Sequence, residues 1–352
     1  MFFRSSFSEE DDIYMEAILL QILNGLDKGT AYALIALGLT LVFGTLGVVN
    51  FAHGALFMMG AFVAVGVQNL LTISARVRDT SITFFDAYKE TPYLELWWGD
   101  VGRTIIDYAV PISVIVAIPV IVAIPVMLLV GLAMERGLIR HFYKRDHADQ
   151  ILVTFGLAIV LQEIVKGFFG ANPIPVNAPQ VVATSVDIGS LFGLEGITYP
   201  WWRLIYLGFS LAVIGGVFAF LHFTTFGMVV RAGMHDREMV GLLGINIQNR
   251  FTIVFGLAAV VAGLAGTMYT PILSPDYHMG MEFLVLSFVV VVVGGMGSLP
   301  GAVAAGFLLG ILQSFFSMNE IKAYLPGIDQ IIVYLVAVII LLVRPKGLLG
   351  KD

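Results

Sequence analysis

Two polar side chains lie inside one of the most apolar parts of this sequence, and their types decide which chemistry is open to them. The stretch VVNFAHGALFMMGAF, Val48 to Phe62, contains Asn50 and His53, and the run from Gly29 to Ala75 around it has no Asp, Glu, Lys or Arg. A histidine could bind a metal or act as a base for a serine such as Ser298. No second metal ligand lies near His53, and Ser298 lacks the glycine–serine–glycine context of intramembrane hydrolases. We therefore predict no metal site, no catalytic residue and no cofactor.

Hydrogen bonding is the other chemistry that Asn50 and His53 can provide. A helix break inside lipid leaves backbone groups that are costly unless protein groups or water satisfy them. The sequence GVVNFAHG therefore predicts a helix break whose backbone is bonded by these two side chains. Two roles stay open: a purely structural break, or a break that lines a translocation path. For the second role the candidate residues are Asn50, Phe51, His53, Gly54 and Met59.

A second break is predicted at GGMGSLPG, where Gly295, Gly297 and Ser298 complete the candidate path. After it, Gly306 and Gly310 have the small-xxx-small spacing that lets two helices approach closely. The segments FAHGALFMMGAF and SLPGAVAAGFLLG resemble each other, since in each a break is followed by Gly-Ala and further small residues. This similarity suggests an internal repeat, a device common in transporters.

The elements that position these residues follow from composition. Of the 352 residues, 58% are apolar and only 12% are charged, whereas globular proteins average about 25% charged residues. A helix needs roughly 20 apolar residues to cross a membrane. We therefore predict an all-α, polytopic helical membrane protein with about eight transmembrane helices. Gly29 to Ala75 is long enough for two spans, and the later apolar runs are Val110 to Met134, Gln150 to Phe169, Leu204 to Phe223, Phe251 to Ile272, Met281 to Val293, Ala302 to Phe316 and Ile328 to Val343.

The ends of the chain frame one transmembrane domain. Residues 1–12 are predicted to be an acidic tail and residues 13–349 the transmembrane domain, while Met15 to Leu26 could be a half-helix, an interfacial helix or a further span. The net charge of −6 and the absence of a long basic cluster argue against a nucleic-acid partner.

Lys and Arg residues near the span ends predict the orientation of the chain. Cytoplasmic loops carry an excess of these residues. The rule places the C-terminal RPKGLLGKD, the segment Glu135 to Asp149 and the segment Thr224 to Arg250 inside. Arg76 to Arg103 and the nearly uncharged Gly170 to Arg203 are then outside.

The segment from 224 to 250 combines charge with apolar residues. Arg231, Asp236, Arg237 and Glu238 cluster within eight positions, and Gly244 follows shortly after. Met239, Val240, Leu242, Leu243 and Ile245 are too apolar for a free loop, so we predict a short helix that docks on a cytoplasmic partner, with Glu238 capping or pairing within it and Gly244 permitting the turn that follows.

This segment carries the most specific resemblance in the chain. The spacing from Glu238 to Gly244 is similar to the EAA loop, by which permease subunits of ABC importers engage their ATPases. The run RAGMHDREMVGLLGIN resembles the version found in LivH-type permeases for branched-chain amino acids, and further similar stretches extend from Leu26 to Leu349: KGTAYALIALGLTLVFGTLGVVNFAHGALFMMGAF, MERGLIR, FGLAIVLQE and VVVVGGMGSLPGA. The departures are Met239 and Val240 in place of the two alanines, a missing leucine-proline, the acidic tail and an enlarged loop from Arg76 to Arg103.

The resemblance implies a multi-pass subunit of an importer in the bacterial inner membrane. Its partners would be a second permease subunit, identical or homologous, two ATP-binding cassette ATPases and an outer substrate-binding protein. The sequence has no G-x-x-x-x-G-K-S/T phosphate loop, so ATP would be hydrolysed on another chain. Two alternatives remain: a permease of the same family for urea or amides, or an ion-coupled transporter that uses Glu163, Lys166 or Glu282.

Overall fold

The computed structural model describes residues 9–71, 73–78, 88–93, 95–103, 118–143, 145–176, 178, 182–192 and 197–350. In chain order, the helices are α1 (Glu9–Leu46), α2 (His53–Leu71), α3 (Ile118–Gly137), a short 3-10 helix (Ile139–Phe142), α4 (His147–Phe169), α5 (Gly189–Phe192), α6 (Trp201–Phe223), α7 (Thr225–His235), α8 (Arg237–Leu242), α9 (Ile247–Tyr269), α10 (Met279–Gly294), α11 (Leu299–Phe316), α12 (Asn319–Tyr324) and α13 (Ile328–Val343).

Two small antiparallel hairpins lie in the predicted outer loops. Strand β1 (Ser74–Arg78) pairs with β2 (Tyr88–Pro92), and β3 (Ser185–Asp187) pairs with β4 (Thr198–Pro200). In the first hairpin Arg76 is opposite Glu90, an arrangement in which opposite charges stabilise the strand pair. Each outer loop therefore contains one hairpin that is held by local strand pairing.

The prediction of a polytopic helical membrane protein is confirmed. Within the described residues, seven helices are long and apolar enough to cross a membrane, and the apolar helices α10 and α13 are shorter. Each of these two has 16 residues, which corresponds to about 24 Å of helix. The first part of the predicted span Val110 to Met134 lies outside the described residues, as do residues 1–8 of the predicted tail; residues 9–12 belong to α1.

The role of Met15 to Leu26, which the sequence left open, follows from the extent of helix α1. Met15 to Leu26 is neither a half-helix nor a separate helix, because it continues into the first span without a break. The glycines in this region serve helix packing: a Cβ on Gly25 would lie 2.5 Å from the Cα of Ile311, and Gly310 packs in the same way on Gly29. The predicted close approach at Gly306 and Gly310 is thereby confirmed, with α1 as the partner of α11.

The centre of the bundle is formed by α1 and α9, which are mostly buried, and α2, α3, α10 and α11 pack around them. Helices α4, α6 and α13 are peripheral and expose many apolar side chains, among them Phe168, Leu211 and Leu342. An apolar exposed face on a membrane helix is satisfied by lipid or by another membrane subunit. The periphery of the bundle can therefore contact either lipid or another membrane subunit.

An ion pair between α1 and α6, in which the carboxylate is buried and the guanidinium is partly exposed, was not predicted from the sequence. Arg203 Nη1 lies 3.6 Å from Asp27 Oδ2 and donates a hydrogen bond to Asn24 Oδ1 at 2.9 Å. Asp27 is only 3% exposed. Charges within membrane helices are costly unless paired, so this pair ties α1 to α6. Another ion pair lies within α4, where Lys166 Nζ is 3.4 Å from Glu163 Oε2.

Candidate functional site

The first candidate site is the break between α1 and α2. Helix α1 ends at Leu46, residues 47–52 are not helical, and α2 begins at His53. Asn50 is completely buried, and its Oδ1 accepts a hydrogen bond from the backbone N–H of Ala52 at 3.0 Å. The predicted break is therefore present, and Asn50 satisfies part of its backbone as expected.

A second backbone anchor of the break comes from α4 and was missed by the sequence analysis. The N–H of Phe51 donates to Thr154 Oγ1 at 3.1 Å, and the same hydroxyl lies 3.4 Å from the carbonyl oxygen of Val49. Thr154 stands at the start of the TFGLAIVLQE stretch and is buried. A lone threonine in an apolar helix gives no sequence signal for a partner about a hundred positions away.

Thr154→Val should loosen the break, because valine keeps the shape of threonine but leaves the buried N–H of Phe51 without its acceptor. An unsatisfied buried donor costs about 1–3 kcal/mol. We expect faster amide hydrogen exchange at Phe51 and Ala52 and a lower melting temperature in detergent. Thr154→Ser is the matched control, since it retains the hydroxyl and should keep both properties close to those of the natural chain.

Aromatic contacts surround the break on its half-exposed side. The ring centroid of Phe51 is 5.6 Å from that of Phe288 on α10 and 6.5 Å from that of Phe155 on α4. Phe51 and Met59 are both half-buried, whereas Met58 between them in the sequence is buried. The candidate path residues Phe51 and Met59 thus retain access to the surface of the chain.

His53 lies on the opposite, interior side of the break. Its ring is completely buried and packs on α1, where a Cβ added at Gly38 would be 2.5 Å from His53 Nε2. The next residue, Gly54, packs on α10, and a Cβ there would be 2.0 Å from the carbonyl oxygen of Gly280. These two candidate residues therefore fix α2 against α1 and α10. The prediction that His53 bonds the backbone of the break is wrong, because its ring faces the packed interior and neither ring nitrogen has a hydrogen-bond partner among the described residues.

The second predicted break is also observed, as the turn between α10 and α11. Gly295 and Gly297 have positive φ angles of 103° and 84°, which favour glycine. Ser298 caps α11 by accepting the N–H of Gly301 at 3.2 Å. The C-terminal segment covers the turn, since the N–H of Leu348 donates to the carbonyl oxygen of Val293 at 2.7 Å.

The two breaks are located at different levels of α10. Phe51 of the first contacts Phe288 within α10, whereas Gly295 to Ser298 follow its last residue. That the two breaks face each other across a path, and that they form an internal repeat, stay predictions.

The second candidate site is the predicted docking segment, which folds as α7 and α8. Thr224 caps α7 by accepting the N–H of Gly227 at 3.0 Å. Asp236 then accepts the N–H of Met239 at 3.0 Å at the start of α8. Arg231 on α7 donates through Nη1 to the carbonyl oxygen of Leu221 on α6. Gly244 has a φ of +77°, so it makes the predicted turn towards α9.

The apolar residues of the docking segment divide into two groups. Val240 is 5% exposed and packs into the chain, whereas Leu242 and Leu243 are 81% and 77% exposed and Met239 is exposed as well. The helix and its exposed apolar surface agree with the predicted segment. The side chains of Arg237 and Glu238 lie outside the described residues, so the expectation that Glu238 caps the helix stays a prediction. The cap that is observed comes from Asp236.

The structure brings the three predicted inner segments to one end of the bundle. Arg140 Nη2, in the segment between α3 and α4, donates to Gln248 Oε1 at 3.0 Å. Leu349 of the C-terminal segment shares a cavity with Arg231 and Met234 of α7. The positively charged segments therefore lie at one end of the bundle, which agrees with the orientation rule.

Apolar helices long enough to cross a membrane, with an exposed segment of charged and apolar residues at one end of the bundle, define a multi-pass membrane protein. The family described as "Branched-chain amino acid transport system / permease component" matches residues 21–343. The chain belongs to this family, so it is a transport component and not an enzyme.

Named relatives agree with this assignment. The chain is 27% identical to the high-affinity branched-chain amino acid transport system permease protein LivH of Salmonella typhimurium. The aligned 341 residues cover 95% of this chain and 96% of the relative. The chain is 28% identical to BraD of Pseudomonas aeruginosa over 342 residues, with the same coverage. The ribose import permease RbsC of Escherichia coli is 23% identical over 69% of this chain and 73% of its own length. No solved structure matches.

Proposed function

We propose that this chain is the membrane-spanning subunit of an ATP-driven importer for branched-chain or related small amino acids in a bacterial inner membrane. Residues 13–349 would form the transmembrane domain and residues 224–250 would bind the ATPases. The family assignment and the names of the relatives LivH and BraD support the substrate class. Its partners would be a second permease subunit, two ATPases and an outer binding protein.

The exposed docking segment is the observation that carries the proposal. Met239, Leu242 and Leu243 present apolar surface at the end of the bundle that is rich in Lys and Arg. This end is cytoplasmic by the orientation rule. A helical segment with apolar anchors at such an end fits the groove of a soluble partner, and the absence of a phosphate loop from this sequence requires that ATP is hydrolysed by such a partner.

Contacts within the chain offer a route from the docking segment to the first break. Met234 on α7 packs on the last turns of α1, where a Cβ added at Gly44 would be 2.6 Å from Met234 Cε. Helix α1 ends two residues later, at Leu46, and the break with Asn50 and Phe51 follows. Movement of α7 by the ATPases would therefore displace the end of α1 and the break attached to it, which is how alternating access would reach the membrane interior.

Uptake into proteoliposomes should depend on ATP and on the ATPase chains. With an imposed proton or sodium gradient and no ATP, we expect uptake of leucine to fall to background, and the purified chain alone should hydrolyse no ATP. Uptake that persists on the ion gradient alone would contradict the proposal and support the ion-coupled alternative.

Cysteine labelling tests whether the first break lines the path. The natural chain has no cysteine, so Phe51→Cys and Met59→Cys each introduce a single thiol. We expect a small water-soluble thiol reagent to modify both in the assembled complex in one conformational state, and trapping with ATP to protect them. Met58→Cys, at a buried position, is the matched control and should stay unmodified. Lack of reaction at both test positions in every state of an active complex would leave the break only a structural role.

A further inference from the structure

A cavity of about 760 Å³ lies at the docking end of the bundle, and its lining includes Gly44 and Met234, the contact between α1 and α7 described above. Helices α1, α6 and α7, the turn before α11 and the C-terminal segment all contribute to its lining. Much of the wall is apolar, as shown by Phe43 on α1, Phe218 on α6 and Leu299 at the start of α11. The cavity can therefore accept a hydrocarbon chain.

The charge at the cavity wall comes from Arg231. His222 is also part of the lining, and among the described residues no Asp or Glu lines the cavity. The guanidinium of Arg231 is held at the rim by its hydrogen bond to the carbonyl oxygen of Leu221, and an arginine has five N–H donors, so further ones remain for a ligand. Ser298, which also lines the cavity, marks the N-terminus of α11, an end at which helices favour anions. The charge of the site is complementary to an anion.

The position of the cavity identifies the source of that anion. The cavity lies where α6 ends at Phe223 and α11 begins at Leu299, which is the level of the membrane boundary for two spanning helices. Phe223 is 82% exposed beside the lining residue His222, so the cavity adjoins the lipid-facing surface of α6. The cytoplasmic leaflet supplies anionic headgroups there at high local concentration.

We propose that this cavity binds an anionic phospholipid of the cytoplasmic leaflet, with its phosphate at Arg231 and one acyl chain between Phe43, Phe218 and Leu299. The proposal rests on the orientation given under the proposed function. A bound lipid would contact α7 and α1 together, so it would contribute to the surface through which α7 acts on the end of α1.

Lipid retention on the full-length chain tests the proposal without requiring transport. The chain is placed in nanodiscs that contain phosphatidylcholine with or without phosphatidylglycerol, and lipids that stay bound after detergent extraction are counted by native mass spectrometry, with and without the ATPases. We expect preferential retention of phosphatidylglycerol. Arg231→Gln should reduce that retention about fivefold, the factor that corresponds to one Lys or Arg at an anionic membrane surface, and Arg231→Lys should restore most of it.

The matched control is Arg250→Gln. Arg250 belongs to the same charged segment, but its guanidinium lies over the ring of Phe226, 5.5 Å from the centroid, and the residue does not line the cavity. This variant should retain phosphatidylglycerol as the natural chain does. A photoactivatable phosphatidylglycerol should in addition cross-link to the wall near Phe43 and Phe218.

Three results would overturn the proposal: equal retention of the two lipids, unchanged retention in Arg231→Gln, or displacement of the lipid by leucine, which would indicate a site for the transported amino acid instead. Because the readout is lipid bound to the chain, a failure here is distinguishable from a failure of ATP-driven transport.

Discussion

Replacing Leu242 and Leu243 together by aspartate is expected to release the ATPases from this permease and to abolish transport while the membrane domain stays folded. Leu242 is the last residue of α8 and Leu243 follows it, and both are largely exposed, so their substitution removes little packing within the chain. At protein interfaces, a buried anchor residue contributes about 2 kcal/mol or more, and a carboxylate would in addition be placed in the apolar contact. We expect at least about a thirtyfold loss of affinity, which corresponds to one such anchor.

The measurement is copurification of the ATPases with the tagged permease, together with uptake into proteoliposomes. Leu325→Asp is the control, because Leu325 is also an exposed apolar residue but follows α12, at the opposite end of the bundle. It should keep full ATPase binding. Normal copurification and uptake by the double aspartate variant would show that the ATPases bind elsewhere.

Gly54→Ala is expected to prevent the chain from reaching its native packing, although it adds only one methyl group. That methyl would lie 2.0 Å from the carbonyl oxygen of Gly280 and 2.5 Å from the Cβ of Leu284. The first of these atoms belongs to the backbone of α10, so no rotamer change can make room and the two helices must separate. Overpacking typically destabilises a protein by about 1–3 kcal/mol. Because this contact is so short and involves backbone atoms, we expect a destabilisation at or above the upper end of that range.

Gly66→Ala on the same helix provides the comparison. Its added Cβ would meet no atom closer than 3.8 Å, the tip of the Phe169 ring, and alanine favours the helix by about 1 kcal/mol relative to glycine. We expect Gly66→Ala to keep or raise the melting temperature in detergent, and Gly54→Ala to lower it strongly or to give no extractable protein. Equal melting temperatures for the two variants would mean that α2 and α10 are not packed as described.

The sequence by itself determined the class of protein and the place of its interruptions. Long apolar runs with so few charges can be stable only in a membrane, and this property depends on composition alone. The breaks at Asn50 and at Gly297 could also be predicted, because glycine and short polar side chains act on the backbone within a few residues. The docking segment was visible for the same reason, since its charges and leucines are adjacent in the chain.

Only the tertiary structure decided which residues of distant helices meet. No residue near Thr154 in the sequence indicates that its hydroxyl accepts a hydrogen bond from the N–H of Phe51. Similarly, no residue near Asp27 indicates that its carboxylate pairs with Arg203. That α1 runs without a break through Met15 to Leu26, and packs Gly25 and Gly29 closely against α11, is likewise visible only in the structure. Apolar residues such as Val240 and Leu243 look alike in the sequence, and the fold alone buries the first and exposes the second. Hydropathy and backbone preference are properties of a local segment, whereas a contact depends on the positions of two helices separated by a hundred or more residues.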